Sequence, residues 1–263
     1  MIGIHNIGNS CYLNAALQLL FNSTDFCKMI ELNKNKSSNI NLISQNIDLY
    51  KKSNNTFNPS SIKRLIDNRT DLFTGMIQSD SSEVILFLFD IINLSNNFLI
   101  EITTNIKCKL SICLHETNNI TKEIFLLLPV TNNLDTSYRE YKIQEKLKSS
   151  YTCDNCKNNI ISRKKIITSY WPDNLLIVLK RFGNNMIKDN TLIEVPLVWR
   201  HGYKLMGGII HMGNLNGGHY IYYGYDETKN IWILANDSNI STINDIDKYT
   251  SQSYILYYKK FKE

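Results

Sequence analysis

The sequence predicts an α+β fold: a helical first part of about one hundred residues, then a series of short antiparallel strands. Three observations predict it. Apolar residues recur at helical spacing through Leu13, Ala16, Leu17, Leu20 and Phe21, and an amphipathic run returns from Ser81 to Asn93. From Ile102 the pattern shortens into alternating or β-branched runs. No internal repeat and no Pro/Gly-rich linker divides the 263 residues, so they read as one structural unit with subdomains.

In chain order, the first helix opens at Cys11, with Ser10 or Asn9 as its cap. A polar stretch from Asn33 to Pro59 follows, with a weaker helical pattern over Leu42 to Leu49. A helix is expected from Ser60 to Ile66, and another from Ser81, capped by Asp80 or by Ser81 itself. Strands are expected at Ile124 to Val130, Ile160 to Ile167, Leu175 to Leu179, Lys204 to His211, Tyr220 to Tyr225, Ile231 to Leu234 and Tyr254 to Lys259.

A hydrophobic content of 43% is ample for a buried core. The net charge is +5, and the lysines are scattered as solvated faces rather than gathered into a nucleic-acid stripe. No run approaches the ~18 apolar residues of a membrane span, and the longest, Val84 to Ile92, is broken by Asp90. Neither nucleic acid nor membrane is an expected partner. Six cysteines in a chain this long argue against a disulfide framework and for a reducing, intracellular compartment. The first motif begins at Gly3, which leaves no room for a targeting arm ahead of it.

Two distant segments carry the chemistry. Cys11 stands in the first turn of a helix, where unpaired N–H groups favour thiolate over thiol. Gly217-Gly218-His219-Tyr220 brings an imidazole on a glycine-rich approach, followed by the aromatic residues Tyr222, Tyr223 and Tyr225. Asn236 and Asp237 then offer an amide or a carboxylate to orient that imidazole. Cysteine, histidine and Asn/Asp in this order is the arrangement of a papain-like thiol hydrolase. A lone cysteine is more often a small buried hydrophobe, as Cys27 reads, and His5, His115, His201 and His211 read as surface or satisfied residues.

With Gly3 to Gln18 and Tyr203 to Tyr223 as its two boxes, the chain resembles a ubiquitin-specific protease catalytic domain. Gln78-Ser79-Asp80-Ser81-Ser82-Glu83, Trp171 to Phe182 and Ser253 to Tyr258 resemble further blocks of that family, in the same order. The resemblance implies a papain-like fold with a helical thumb over residues 1–100, β-rich fingers over 101–170 and a palm over 171–263. It implies a thiol-dependent isopeptidase that cleaves after the C-terminal Gly-Gly of ubiquitin, working as a monomer without a catalytic cofactor. Cys11 would be the nucleophile, His219 the base, Asn236 its orienter with Asp237 in support, and Asn6 the oxyanion donor. Asp80, Glu83, Gly217, Gly218 and Tyr220 would line the path of the tail, and Met212 to Gly218 would form a mobile loop. As plain structure, Asn6 reads as a turn residue, and Asp80 and Glu83 as carboxylates complementing a helix N-terminus.

Cys153-Asp154-Asn155-Cys156 has zinc-knuckle spacing. In the family it forms half of a four-cysteine site, for which Cys108 and Cys113 are the partners here. Their spacing is wider than the family's Cys-x-x-Cys, so His115 is an alternative fourth ligand and a metal-free finger an alternative outcome. A redox pair is disfavoured because no βαβ pattern follows. Other readings of the chain are a catalytically weak or dead ubiquitin-binding module, a protease for another ubiquitin-like modifier, and a thiol acyltransferase.

Overall fold

The computed structural model describes residues 1–75, 77–110, 112–143, 145–147, 152–158, 162–183, 187–214 and 217–261. A two-residue strand, β1 (Gly3–Ile4), leads into α1 (Cys11–Phe21), α2 (Thr24–Asn33) and α3 (Ser38–Lys52). β2 (Thr56–Phe57) pairs parallel with β1 and precedes α4 (Ser60–Asp67) and α5 (Ser81–Ile92). Every residue of α1 is buried. A helix buried on all sides needs its polar side chains paired. Gln18 Nε2 donates to the Ile2 carbonyl at 2.7 Å and its Oε1 accepts from Tyr50 at 2.7 Å, which ties α3 and the residue ahead of β1 to α1. Ser23, Ser37 and Asp80 cap α2, α3 and α5 through side-chain oxygens. Ser10 holds the N-cap position of α1 without a capping bond.

The fingers are a four-stranded sheet. β3 (Ile100–Cys108) pairs with β4 (Glu116–Glu123) on one side and with β7 (Ser162–Tyr170) on the other, and β6 (Glu145–Leu147) flanks β7. β5 (Phe125–Leu128) leaves the fingers and joins the palm, followed by α6 (Leu134–Tyr141). The palm is an eight-stranded sheet. Its remaining strands are β8 (Asn174–Leu179), β9 (Val198–Trp199), β10 (Tyr203–Asn214), β11 (Gly217–Asp226), β12 (Ile231–Asn236), β13 (Asn239–Ile243) and β14 (Ser253–Lys260). A short α7 (Asp247–Thr250) precedes β14. The order is β13-β12-β11-β10-β14-β8-β5, with β9 on β10, antiparallel except for the β5–β8 pair. α1 packs on β11, so one core lies between helices and sheet, and a second lies on the sheet's other face.

Several elements lie outside the expected set. α2, β3, β4, α6 and β13 were not foreseen as separate elements, and α3 is longer than Leu42 to Leu49. β4 and β13 are polar strands exposed on both faces, so they show no hydrophobic alternation. α6 is a single eight-residue stretch capped by Asn133, too short for its buried Leu134 and Tyr138 to stand out as a pattern. The Leu-Lys-Arg-Phe motif has a structural cause. Arg181 is 2% exposed and its guanidinium donates to the carbonyls of Ser253, Asp189, Thr191 and Ser251, pinning the end of β8 to the start of β14.

Candidate active site

Asn6 builds the turn ahead of Cys11. Its Oδ1 accepts from the Gly8 N–H at 3.1 Å and the Ser10 N–H at 3.2 Å, while Ser10 Oγ turns back to the Ile7 N–H at 3.0 Å. Gly8 and Asn9 adopt positive φ (106° and 49°), which reverses the chain into α1. Cys11 therefore sits in a first turn without a side-chain cap, where orphan N–H groups favour thiolate over thiol.

His219 lies near the start of β11. Its Nε2 is 2.6 Å from Asn236 Oδ1 at the end of β12, and the Cys11 thiol lies close enough to be the strongest influence on the ring's titration. Cys11 holds the imidazole's pKa up at about 9, with the Asn236 amide adding to that effect and burial opposing it. Asp237 faces elsewhere. Its carboxylate accepts from Asn6 Nδ2 at 2.8 Å and from Asn14 Nδ2 at 2.7 Å, and its carbonyl accepts from the Ile4 N–H at 2.8 Å. The left-handed φ of 50° at Asp237 separates the two neighbours, one toward the imidazole and one toward the N-terminal turn. This requires Gly3 to lie against Ser238, where an added Cβ would come within 2.2 Å of a backbone oxygen.

Beside this centre, Asp80 Oδ1 caps α5 through Ser82, and its Oδ2 accepts from Tyr254 at 2.8 Å and Tyr220 at 3.3 Å. Tyr220 is 7% exposed, so it props Asp80 from beneath rather than presenting a free face. Glu83 is exposed one turn further along α5. Gly217 and Gly218 form one side of the β10–β11 hairpin tip. Leu215 and Asn216 of the expected mobile loop lie outside the described residues.

Three residues that sequence reasoning missed take part. Gln78 Oε1 accepts from the Gly218 N–H at 2.8 Å, joining the helical side to the hairpin that carries His219. Asn14 holds Asp237. His211, expected on the surface or satisfied, is 6% exposed with Nδ1 unpartnered among the described residues, and burial pulls its pKa down to about 4. Its ring fills the space where a Cβ on Gly218 would fall, 2.1 Å from Nε2, so that glycine is sterically required. Gln78 and Asn14 lie inside the recognised blocks, and only their contacts reveal a role.

Cys108, Cys113, Cys153 and Cys156 converge between the fingers, with all four sulfurs within 4.8 Å of one another. Cys113 to Cys153 is 3.8 Å and Cys108 to Cys156 is 4.0 Å. Zn–S bonds of ~2.3 Å in a tetrahedron give S···S edges of ~3.8 Å, so the set fits a divalent ion and is far too open for disulfides. Asn155 Nδ2 lies 3.5 Å from Cys113 Sγ and draws that thiol's pKa down to about 6. His115 stands outside the cluster, with Nε2 3.4 Å from Thr117 Oγ1.

Comparison with known proteins gives the family and the fold. Residues 2–258 match the family model "Ubiquitin carboxyl-terminal hydrolase". Ubiquitin carboxyl-terminal hydrolase 4 of Vanderwaltozyma polyspora is 24% identical over 98% of this chain and 41% of its own length. Ubiquitin carboxyl-terminal hydrolase 5 of Saccharomyces cerevisiae is 22% identical over 99% of this chain and 45% of its own. A probable ubiquitin carboxyl-terminal hydrolase, R319, of Acanthamoeba polyphaga mimivirus is 32% identical over 51% of this chain and 34% of its own length. The chain thus spans less than half of these relatives. Among solved structures, Ubp8 in a SAGA deubiquitinating module bound to monoubiquitin superposes with a TM-score of 0.83 at 20% identity, covering 100% of this chain and 69% of that one. A Ubp8 module bound to ubiquitin aldehyde gives 0.81 at 20% identity over 100% of this chain and 70% of that chain. The fold is that of these deubiquitinase domains, and the chain belongs to the ubiquitin carboxyl-terminal hydrolase family.

Proposed function

We propose that the chain is a thiol-dependent deubiquitinase that hydrolyses the peptide or isopeptide bond after the C-terminal Gly-Gly of ubiquitin. The observation that carries this is the alignment of Cys11, His219 and Asn236 beside an Asn6 amide already fixed in place. The Cys11 thiolate adds to the carbonyl carbon of the terminal glycine. The oxygen that becomes negative meets the Asn6 Nδ2–H and the Cys11 N–H. The imidazolium of His219 gives its proton to the departing amine, the C–N bond breaks and a thioester remains. His219 then takes a proton from water, whose oxygen attacks the thioester and releases the free carboxylate and the Cys11 sulfur. Asn236 keeps the ring nitrogen aimed at sulfur throughout.

Asp80, Glu83 and the Gly217-Gly218 edge support an extended, basic tail closing in small residues, with Glu83 as the exposed carboxylate. The four cysteines support one structural zinc ion, whose chemistry is to cross-link two finger hairpins that have little core of their own. The cysteine usage supports an intracellular, reducing setting, and action as a monomer is part of the same reading. Ubiquitin carrying a C-terminal electrophile, set beside similarly armed ubiquitin-like modifiers, tests the function. Covalent capture of ubiquitin at Cys11 is expected. Capture of another modifier in preference would overturn the substrate, and binding without capture or turnover would make the chain a binding module.

A further inference from the structure

A cavity of about 690 Å³ opens between α2, the loop 94–97 and the ends of β10 and β14. It lies at the opposite end of the palm sheet from Cys11. Glu227 on its rim directly follows β11, whose opening residues carry His219, and a rise of ~3.3 Å per residue puts the two roughly 25 Å apart. We propose that this cavity is a second binding site, for a short acidic peptide segment that carries bulky apolar side chains.

The floor is apolar. Met206 is buried, and Met29 and Leu94 are half-buried against the helical core. The lip presents Leu32 and Phe261, 74% and 63% exposed, which a ligand would draw out of water at ~25 cal/mol per Å² of apolar surface covered. The rim is basic, with five lysines against the carboxylates of Asp25, Asp173 and Glu227. Lys259 engages Asp25 at 3.2 Å, and Lys204 rests over the Tyr225 ring at 4.3 Å. Lys28, Lys36 and Lys260 have no ion-pair partner among the described residues, and five lysines against three carboxylates leave the rim a net charge of +2.

The arrangement selects among anions. A compact polyphosphate is best held by donors converging on one point, and arginine forks do this best. No arginine lines this cavity, and its lysines stand on separate walls around an apolar floor. Spaced carboxylates alternating with apolar side chains match that layout, and Ser95 and Asn96 on the rim can meet a peptide backbone. The volume is that of an ordinary ligand pocket, ~300–1,000 Å³.

Fluorescence anisotropy of a labelled peptide alternating Asp/Glu with Leu/Phe, added to the whole chain, tests the site. Saturable binding with Kd on the order of 10–100 μM is expected, weakening as salt rises. Lys28→Glu with Lys260→Glu should weaken it by about tenfold or more, and Leu32→Ser alone should do likewise. The same peptide with Ser in place of Leu/Phe should not bind. These variants keep the turnover of a C-terminal fluorogenic ubiquitin, which reports an intact fold independently of the site. No saturation up to ~1 mM, or binding undiminished in both variants, would overturn the proposal. Binding that survives Leu32→Ser and is displaced by inositol hexakisphosphate would overturn it in favour of a compact polyanion.

Discussion

Replacing Asp237 with alanine separates a carboxylate that acts on the imidazole from one that acts on Asn6. Its two oxygens accept from Asn6 Nδ2 at 2.8 Å and Asn14 Nδ2 at 2.7 Å, while His219 is bonded to Asn236. The substitution keeps the backbone bond from the Ile4 N–H and removes two hydrogen bonds to a charged group, each worth ~1.5–3 kcal/mol. Asn6 keeps its Oδ1 bonds to the Gly8 and Ser10 N–H groups, so the amide stays near its place but its N–H loses aim. Complete loss of an oxyanion donor costs ~10²–10³ in kcat, and partial misalignment should cost ~10–100-fold with KM little changed. The assay is kcat and KM on fluorogenic ubiquitin for Asp237→Ala, Asn6→Ala and the double variant. If Asp237 works through Asn6, the double variant is no slower than Asn6→Ala alone. Multiplying losses would refute this reasoning. So would an alkaline limb of the pH profile that moves further in Asp237→Ala than in Asn236→Ala, because the Asn236 hydrogen bond acts on the imidazole more strongly than the Asp237 charge.

Cys11→Ser should abolish hydrolysis and leave ubiquitin binding in place, since a hydroxyl is far too weak an acid for this base; residual turnover would remove Cys11 as nucleophile. The His219 pKa, up at about 9, lies above the ordinary ~6.5. A raised folded-state value stabilises the fold fully below ~pH 6.5, and that contribution is lost as pH rises through the folded value. kcat/KM should therefore fall on an alkaline limb near pH 9, where the leaving amine loses its acid. NMR titration in Cys11→Ala should bring His219 back toward its ordinary value; an unmoved titration would mean the two are not paired. Elemental analysis should find about one zinc per chain, and its removal should loosen the fingers before the palm and raise KM for full-length ubiquitin. Zinc undiminished in Cys108→Ser would contradict the four-cysteine assignment.

Sequence alone singled out Cys11 and His219 as the candidate pair, and it determined the family and the order helix-then-sheet. Those features rest on local chemistry: a thiol opening a helix, an imidazole behind two glycines, and an apolar period that changes along the chain. Cys108 could not be placed that way, because a widened spacing says nothing about where four sulfurs meet; the β3–β7 pairing brings it to Cys156. The polar strands β4 and β13 were illegible for the same kind of reason, since their stability comes from neighbouring strands and not from a pattern of their own. Asp237 is the sharpest case. Its position beside Asn236 suggested a shared task at the imidazole, yet a left-handed backbone at that one residue turns the carboxylate toward Asn6 and Asn14. Which of two adjacent side chains faces the histidine depends on a dihedral angle set by the packing of β1 against that turn, and only tertiary structure decides it.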